Sequence, residues 1–373
     1  MMSVRFLTAV SGRAFNMRDR FGREIDYMRI SVIDSCNLNC YYCNPQDNNK
    51  NCQAINILSV KKVLCIVRAA TRLGITHFRL TGGEPLLHPQ INEMVSQIKK
   101  IPGVRSVSLT TNAVLLAQHA KQLKEAGIDS INVSLDTIDA SEYEHITKKP
   151  LLDKVEHGID AAIECGIRVK INAVLTPQTD VVALTRYASK KGTDIRFIEM
   201  MPVGEGHTNG VEPYEKVIGA LLEVYGSPCH IDTENREEIN SGYNNADNGP
   251  AEYYSFHGLD IRVGLIQAIH GKFCDTCNRI RVTADGRLMP CLGSSVTMDL
   301  VPDSYEFTDD LEKDFVIVQA LKAAIKAKPG CHNFNDNAVT YTKTTETKTT
   351  EIETTELKAA EVNAARNMSR IGG

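Results

Sequence analysis

From residue 28 to residue 203 the chain alternates short β-branched runs with longer stretches in which apolar positions recur every three or four residues. The runs predict strands over 28–33, 76–81, 104–111, 131–135, 169–175 and 195–200. The longer stretches predict helices over 59–73, 91–100, 115–126, 152–164 and 181–190. Gly74, Gly127, Gly166 and Gly192 stand near the ends of these helices, where a left-handed residue closes the last turn. Strand and helix in strict alternation build a parallel sheet through right-handed crossovers. Eight such units would close a barrel; six predict an incomplete barrel open on one side, or a doubly wound sheet. Either way, the loops that carry chemistry gather at the C-terminal ends of the strands.

After Pro202 the pattern changes. A helix is predicted over 213–225, a polar stretch over 233–250, and β-like runs over 252–256 and 260–269. Residues 279–292 read as a hairpin turning at Ala284–Asp285–Gly286, because Asp-Gly supplies the positive φ of a tight turn. A last helix follows over 307–327. Residues 340–357 are half threonine with no apolar period and read as a mobile tether leading to a Gly-Gly terminus. The division expected is an N-terminal extension (1–18), a barrel (19–212), a C-terminal lobe (213–339), a tether (340–365) and a tail (366–373).

Composition narrows the classes of function. The 373 residues are 42% hydrophobic and 24% charged, as in ordinary globular chains, which excludes a wholly disordered, collagenous or coiled-coil protein. No apolar run approaches the ~20 residues of a membrane-spanning helix. A formal charge of −4, from 42 basic and 46 acidic residues, gives no global field for nucleic acid or anionic lipid. Any phosphate site must be local. Eleven cysteines are far fewer than the ~8–10% of small disulfide scaffolds, and the count is odd. Residues 1–18 hold Arg5, Arg13 and Arg18 without a sustained apolar run, so they read as an ordinary extension in preference to a weak organellar transit segment. Reduced thiols are expected, in a cytoplasm or, for a eukaryotic source, a mitochondrial matrix.

Three of those thiols follow the first predicted strand directly, in Cys36–Asn37–Leu38–Asn39–Cys40–Tyr41–Tyr42–Cys43. Three cysteines on a 4Fe-4S cubane leave one iron without a protein ligand, and an open metal position is where chemistry occurs. A zinc site would need a fourth ligand that is not evident nearby. The second group is Cys274–Asp275–Thr276–Cys277, to which the folded hairpin returns Cys291. Here a zinc ribbon completed by Cys331 or His332 competes evenly with a cubane on the residues alone. Cys52, Cys65, Cys165 and Cys229 gain no role.

The spacing C-x-x-x-C-x-x-C with Tyr42 inside it, and Gly82–Gly83–Glu84–Pro85 after the second strand, resemble the radical S-adenosylmethionine enzymes. The resemblance narrows to the GTP 3′,8-cyclase family, the molybdenum cofactor biosynthesis protein A family. It runs through Phe21–Gly22–Arg23, Arg79 to Leu86, Thr110–Thr111–Asn112, Ser134–Leu135–Asp136, Arg196 to Met201, Cys274 to Cys291 and the terminal Met-Ser-x-Ile-Gly-Gly. It implies an α/β fold, an incomplete (βα)6 TIM-type barrel with a smaller C-terminal α+β lobe carrying a second cluster. By the same resemblance Cys36, Cys40 and Cys43 would hold one 4Fe-4S cluster, and Cys274, Cys277 and Cys291 a second, in place of zinc. Tyr42, Gly83, Ser134 and Met201 would contact S-adenosylmethionine, with the Gly82–Gly83 backbone near its amino group. Arg29, Arg79, Thr110, Lys170, Arg279 and Arg281 would bind GTP. Arg196 and the tail glycines Gly372 and Gly373 would be catalytic.

The residues lend this partial support of their own. Arg279 and Arg281 are two apart on a strand and project from one face, suited to forking onto phosphate oxygens. Arg29 and Arg79 lie in predicted parallel strands that should be apolar, so each needs an anionic partner, which a triphosphate or a buried Glu such as Glu199 would supply. Against the family pattern, Ser35, Asn44 and Ala113 replace an arginine, a methionine and a glycine, and the threonine-rich insertion lengthens the path to Gly-Gly. The implied reaction converts GTP to (8S)-3′,8-cyclo-7,8-dihydroguanosine 5′-triphosphate with an external one-electron donor, upstream of cyclic pyranopterin monophosphate synthase. No nucleic-acid or membrane partner is expected, and a homodimer is left open. The rival readings are a peptide-modifying radical enzyme, which would carry more C-terminal cysteines, and a non-enzymatic iron-sulfur or zinc module.

Overall fold

The computed structural model describes residues 17–43, 55–203, 212–231, 249–294, 296–301, 305–308, 314–332 and 334. The predicted tether and the tail glycines Gly372 and Gly373 lie outside these residues. Six strands, β1 (Tyr27–Ser31), β2 (His77–Thr81), β3 (Ser106–Thr111), β4 (Ser130–Ser134), β5 (Arg168–Val174) and β6 (Asp194–Ile198), lie side by side in chain order and all parallel. Between them run α1 (Val60–Thr71), α2 (Ile91–Lys99), α3 (Leu116–Glu125), α4 (Ala140–Thr147), α5 (Leu152–Glu164) and α6 (Val181–Lys191). Among the described residues no helix is long and apolar enough to cross a membrane.

Local chemistry explains these boundaries. Ser59, Asp139 and Asp180 cap α1, α4 and α6, each side chain accepting a backbone N–H from the first turn. Gly74, Gly127, Gly166 and Gly192 all take positive φ, as their positions after the helices required. The strands alternate with period two. Met28, Ile30, Phe78, Leu80, Val107, Leu109, Ile131 and Val133 are fully buried in the apolar core shared with the helices. The intervening residues are polar, with Arg79, Ser108 and Asn132 buried and Arg29 half-buried. The sheet therefore has an apolar outer face and a polar inner one, unlike ordinary parallel sheets, which are apolar on both.

The C-terminal strands join this sheet at both edges. A π-helical turn (Glu215–Gly219) leads into α7 (Ala220–Tyr225), then β7 (Cys229–Ile231), β8 (Glu252–Ser255) and β9 (Val263–Ile266), with β9 parallel to β6. On the far edge β10 (Arg279–Val282) runs parallel to β1, followed antiparallel by β11 (Arg287–Met289) and β12 (Met298–Asp299). The order is β12-β11-β10-β1-β2-β3-β4-β5-β6-β9-β8-β7. The flanking strands cover edges that would otherwise expose unpaired backbone. The predicted hairpin forms with Gly286 in its turn, at φ 87°.

Three elements differ from the sequence reading. α4 was not expected; its eight residues form because Asp139 caps them and Thr137 bonds Glu142. The run 260–269 is a strand only over Val263–Ile266, and residues 307 and 308 are not helical, the last helix α8 spanning Asp314–Ala327. Ala113 sits at φ 63°, which accounts for a glycine at the matching family position.

α5 packs against the start of α3 through Gly158, where an added Cβ would stand 2.4 Å from the Ala113 carbonyl oxygen. Gly158→Ala should therefore destabilise the fold by about 1–3 kcal/mol through overpacking, despite alanine's better helix propensity. Thermal unfolding checks this: the midpoint falls, whereas a rise would show that the two helices can move apart freely.

Candidate functional site

The polar inner face opens into a cavity of about 480 Å³ at the C-terminal ends of the strands. Both cysteine triads line it: Cys36, Cys40 and Cys43 on the loop after β1, and Cys274, Cys277 and Cys291 around the β10–β11 hairpin. Tyr42, Gly83, Ser134, Met201, Arg29, Arg79, Thr110, Arg196, Arg279 and Arg281 line it too. Lys170 does not. It is buried in β5, in register with Asn132 and Asp194.

The first triad is held by backbone. Asn39 and Tyr41 N–H groups donate to the Thr147 and Ile146 carbonyls at the end of α4, and Cys43 N–H donates to the Cys40 carbonyl. Tyr42 donates its hydroxyl to Asp136 at 2.6 Å, and Asp136 accepts the Val174 N–H at 2.8 Å. Gly82 and Gly83 lie flat on this loop. An added Cβ would come within 2.5 Å of the Ile33 carbonyl at Gly82 and 2.2 Å of the Ser35 carbonyl at Gly83. The chain's own cysteine loop thus demands both glycines, whatever else approaches them.

Glu84 is the buried knot beside them. It accepts from Leu86 N–H at 3.0 Å, the Thr111 hydroxyl at 2.6 Å and Asn112 N–H at 2.8 Å, joining the loops after β2 and β3. Burial nevertheless pushes its carboxyl up to about 7. Asn112 in turn directs its amide at Asn37 (2.8 Å) and the Cys36 sulfur (3.8 Å), and Leu38 N–H points at the same sulfur (3.5 Å).

Burial pushes the Cys36 thiol up to about 11 and the Cys40 thiol higher still, so as free side chains both stay protonated at neutral pH. Metal ligation removes that proton, and N–H groups aimed at sulfur suit a ligating thiolate. The donor set therefore fits an iron-sulfur cluster. Among the described residues no Cys, His, Asp and Glu side chains form a group of three able to hold a single ion; the thiols of a cubane bind separate irons and need not converge.

The arginines stand in one row. Arg281 on β10, Arg29 on β1 and Arg79 on β2 are direct cross-strand partners. Burial, then the Arg281 charge, holds Arg29 well below the ordinary guanidinium range, and burial with Arg279 brings Arg281 down to about 10. Arg79 donates to the Tyr27 hydroxyl and, at 3.4 Å, to Thr110. Arg196 donates to Asn172 at 2.9 Å and lies over Gly264, where a Cβ would meet its Cγ at 2.8 Å. Cations facing one another across the strands, with Arg29 and Arg281 both held below the ordinary guanidinium range, form a preformed anion site.

Several residues had drawn no individual role from the sequence. Arg23 donates to the carbonyls of Cys274 (2.7 Å), Pro329 (2.6 Å) and Gly330 (3.0 Å), fastening the second triad to the N-terminal segment. Lys328 meets the Cys277 sulfur. Asp136, Asn112 and Tyr27 line the cavity; the period-two alternation of polar residues along the strands was the signal that would have found Tyr27.

The Radical SAM superfamily model matches residues 30–184, and the Molybdenum Cofactor Synthesis C model matches residues 193–334. A GTP 3′,8-cyclase of Clostridium perfringens is 36% identical over 322 residues, spanning 85% of this chain and 95% of that protein. The GTP 3′,8-cyclase of Clostridium acetobutylicum is 36% identical over 337 residues, spanning 88% and 98%. Streptococcus suis SuiB bound to S-adenosylmethionine shares the fold, with a TM-score of 0.55 at 16% identity over 81% of this chain and 68% of its own.

Because the folded-state affinity of Glu84 for a proton is raised from 4.5 to about 7, its protonation stabilises the fold fully below pH 4.5, and that contribution is lost as pH rises through about 7. Urea unfolding at pH 5 and pH 8 should show wild type losing more stability over this interval than Glu84→Gln. Equal losses in the two proteins would remove Glu84 as the source.

Proposed function

Because the chain belongs to the GTP 3′,8-cyclase family of radical S-adenosylmethionine enzymes, we propose that it converts GTP to (8S)-3′,8-cyclo-7,8-dihydroguanosine 5′-triphosphate. The observation that carries this reading is one cavity lined by two thiol triads and a row of facing arginines. Cys36, Cys40 and Cys43 would hold the cluster that, once reduced by an external donor, supplies the electron for cleaving S-adenosylmethionine into the hydrogen-abstracting radical.

The remaining work belongs to the chain. Arg29, Arg79, Arg279 and Arg281 bind the triphosphate, whose negative charge relieves their mutual repulsion. Thr110 extends that set, and Lys170 adds a charge on the same inner face, beside Asn132. Tyr42, Gly83, Ser134 and Met201 border the space for S-adenosylmethionine. Tyr42 is fixed there by Asp136, and the Gly83 backbone by the Cys loop. Cys274, Cys277 and Cys291 would hold a second cluster, and Arg196, steered by Asn172, orients the reacting end. Leu38, Val174, Ile198 and Ile266 line the same cavity and exclude water from it. Fixed orientation matters most here, since the ring closes within one molecule.

The reading extends to a cytoplasmic enzyme whose product passes to cyclic pyranopterin monophosphate synthase. Anaerobic incubation with GTP, S-adenosylmethionine and a reductant tests it by mass analysis of the product. A cyclised GTP isomer is expected, with about eight irons per chain. Bound zinc without S-adenosylmethionine cleavage would overturn it, and modification of a peptide with GTP untouched would favour the peptide-modifying alternative. Deleting Gly372–Gly373 should abolish cyclisation while both clusters load; unchanged GTP conversion would remove the tail from the reaction.

A further inference from the structure

Lys328 follows α8 directly and is 2% exposed. Its ammonium meets three acceptors: the Cys277 sulfur at 3.4 Å, the Arg279 carbonyl at 2.8 Å and the Pro290 carbonyl at 3.0 Å. These use its three N–H bonds, and none of the three is a carboxylate. Taking an ammonium out of water is costly unless negative charge faces it, and of these acceptors only the sulfur can carry one.

The two carbonyls place this contact with care. Arg279 is two residues after Cys277, and Pro290 immediately precedes Cys291, so one side chain ties together the ends of the hairpin that bears the second triad. A neutral donor would suffice for the tie. The charge needs another reason, and the sulfur supplies it.

We propose that Lys328 is a positioning residue that sets the reduction potential of the second cluster, its charge on the Cys277 sulfur favouring the reduced form. This rests on the two-cluster reading above. Iron-sulfur potentials follow net charge, hydrogen bonds to sulfur and solvent exposure. Reduction by one electron from an external titrant adds a negative charge, and a fixed buried cation beside a ligand stabilises that state. S-adenosylmethionine cleavage belongs to the other triad, so the expected effect is confined to the second.

The test is an EPR-monitored potentiometric titration of the full-length protein reconstituted anaerobically with iron and sulfide. The second cluster is identified as the signal that Cys291→Ala loses. In Lys328→Met, which removes the charge, the reduced-to-oxidised ratio at a fixed potential should fall at least tenfold, about 59 mV downward for a one-electron couple. Lys328→Arg should restore the wild-type midpoint, and Lys328→Gln, a neutral donor, should follow the Met variant. The first cluster's midpoint should stay where it is in all of them. An unchanged second midpoint in the Met and Gln variants, an equal shift of both clusters, or loss of the second cluster from both neutral variants would each overturn the proposal, the last in favour of a purely structural tie. Wild-type protein holding only about four irons would overturn the two-cluster reading, and this one with it.

Discussion

Three guanidinium groups in direct register across β10, β1 and β2 set the terms for everything around them. Like charges facing each other across strands destabilise a sheet, and here they are also withdrawn from water. The fold tolerates them because each strand has two faces with different work. The outer residues, Met28, Ile30, Phe78 and Leu80 among them, are fully buried in the apolar core, and that burial holds the strands in register. The inner residues are left to answer to a ligand.

That division explains the shape of the site. A sheet with an apolar interior fills itself with side chains, as closed barrels do. An interior of Arg, Asn, Ser and Thr cannot, so it stays open as a cavity. The loops around that cavity are then fixed by main-chain contacts: the glycine pair pressed on the cysteine loop, Glu84 joining two strand ends, and Arg23 gripping three carbonyls near the second triad. The six thiols that line the cavity sit on backbone that is already ordered by the protein.

Much of this was legible in the sequence, and the exceptions have physical causes. Six strands and their helices showed through periodicity, since their outer faces are buried and long enough to repeat. α4 was missed because eight residues with three buried side chains carry too weak a pattern, and its cap decides it. Both triads could be located by spacing, yet the residues alone left the second open to zinc. Arg29 and Arg79 stood out as charges in apolar strands. Lys170 shares that inner face, in register with the lining residue Asn132, without itself lining the cavity. Lys328 drew no attention because its meaning exists only once the hairpin has folded back. Asp136 was noticed within a motif, while its hydrogen bond to Tyr42 depends on two loops meeting.

The grip of Arg23 also orders events in time. Its contacts reach 251 residues forward to Cys274 and 306 and 307 forward to Pro329 and Gly330, and β1 takes its outer neighbour from β10. Contacts so distant in the chain are slow to close. On the ribosome, the first triad can meet its supporting strands while synthesis is still under way. The second cannot take its final shape until nearly all of the described chain has emerged. The surroundings of the two triads are thereby completed in sequence, those of Cys36, Cys40 and Cys43 ahead of those of Cys274, Cys277 and Cys291.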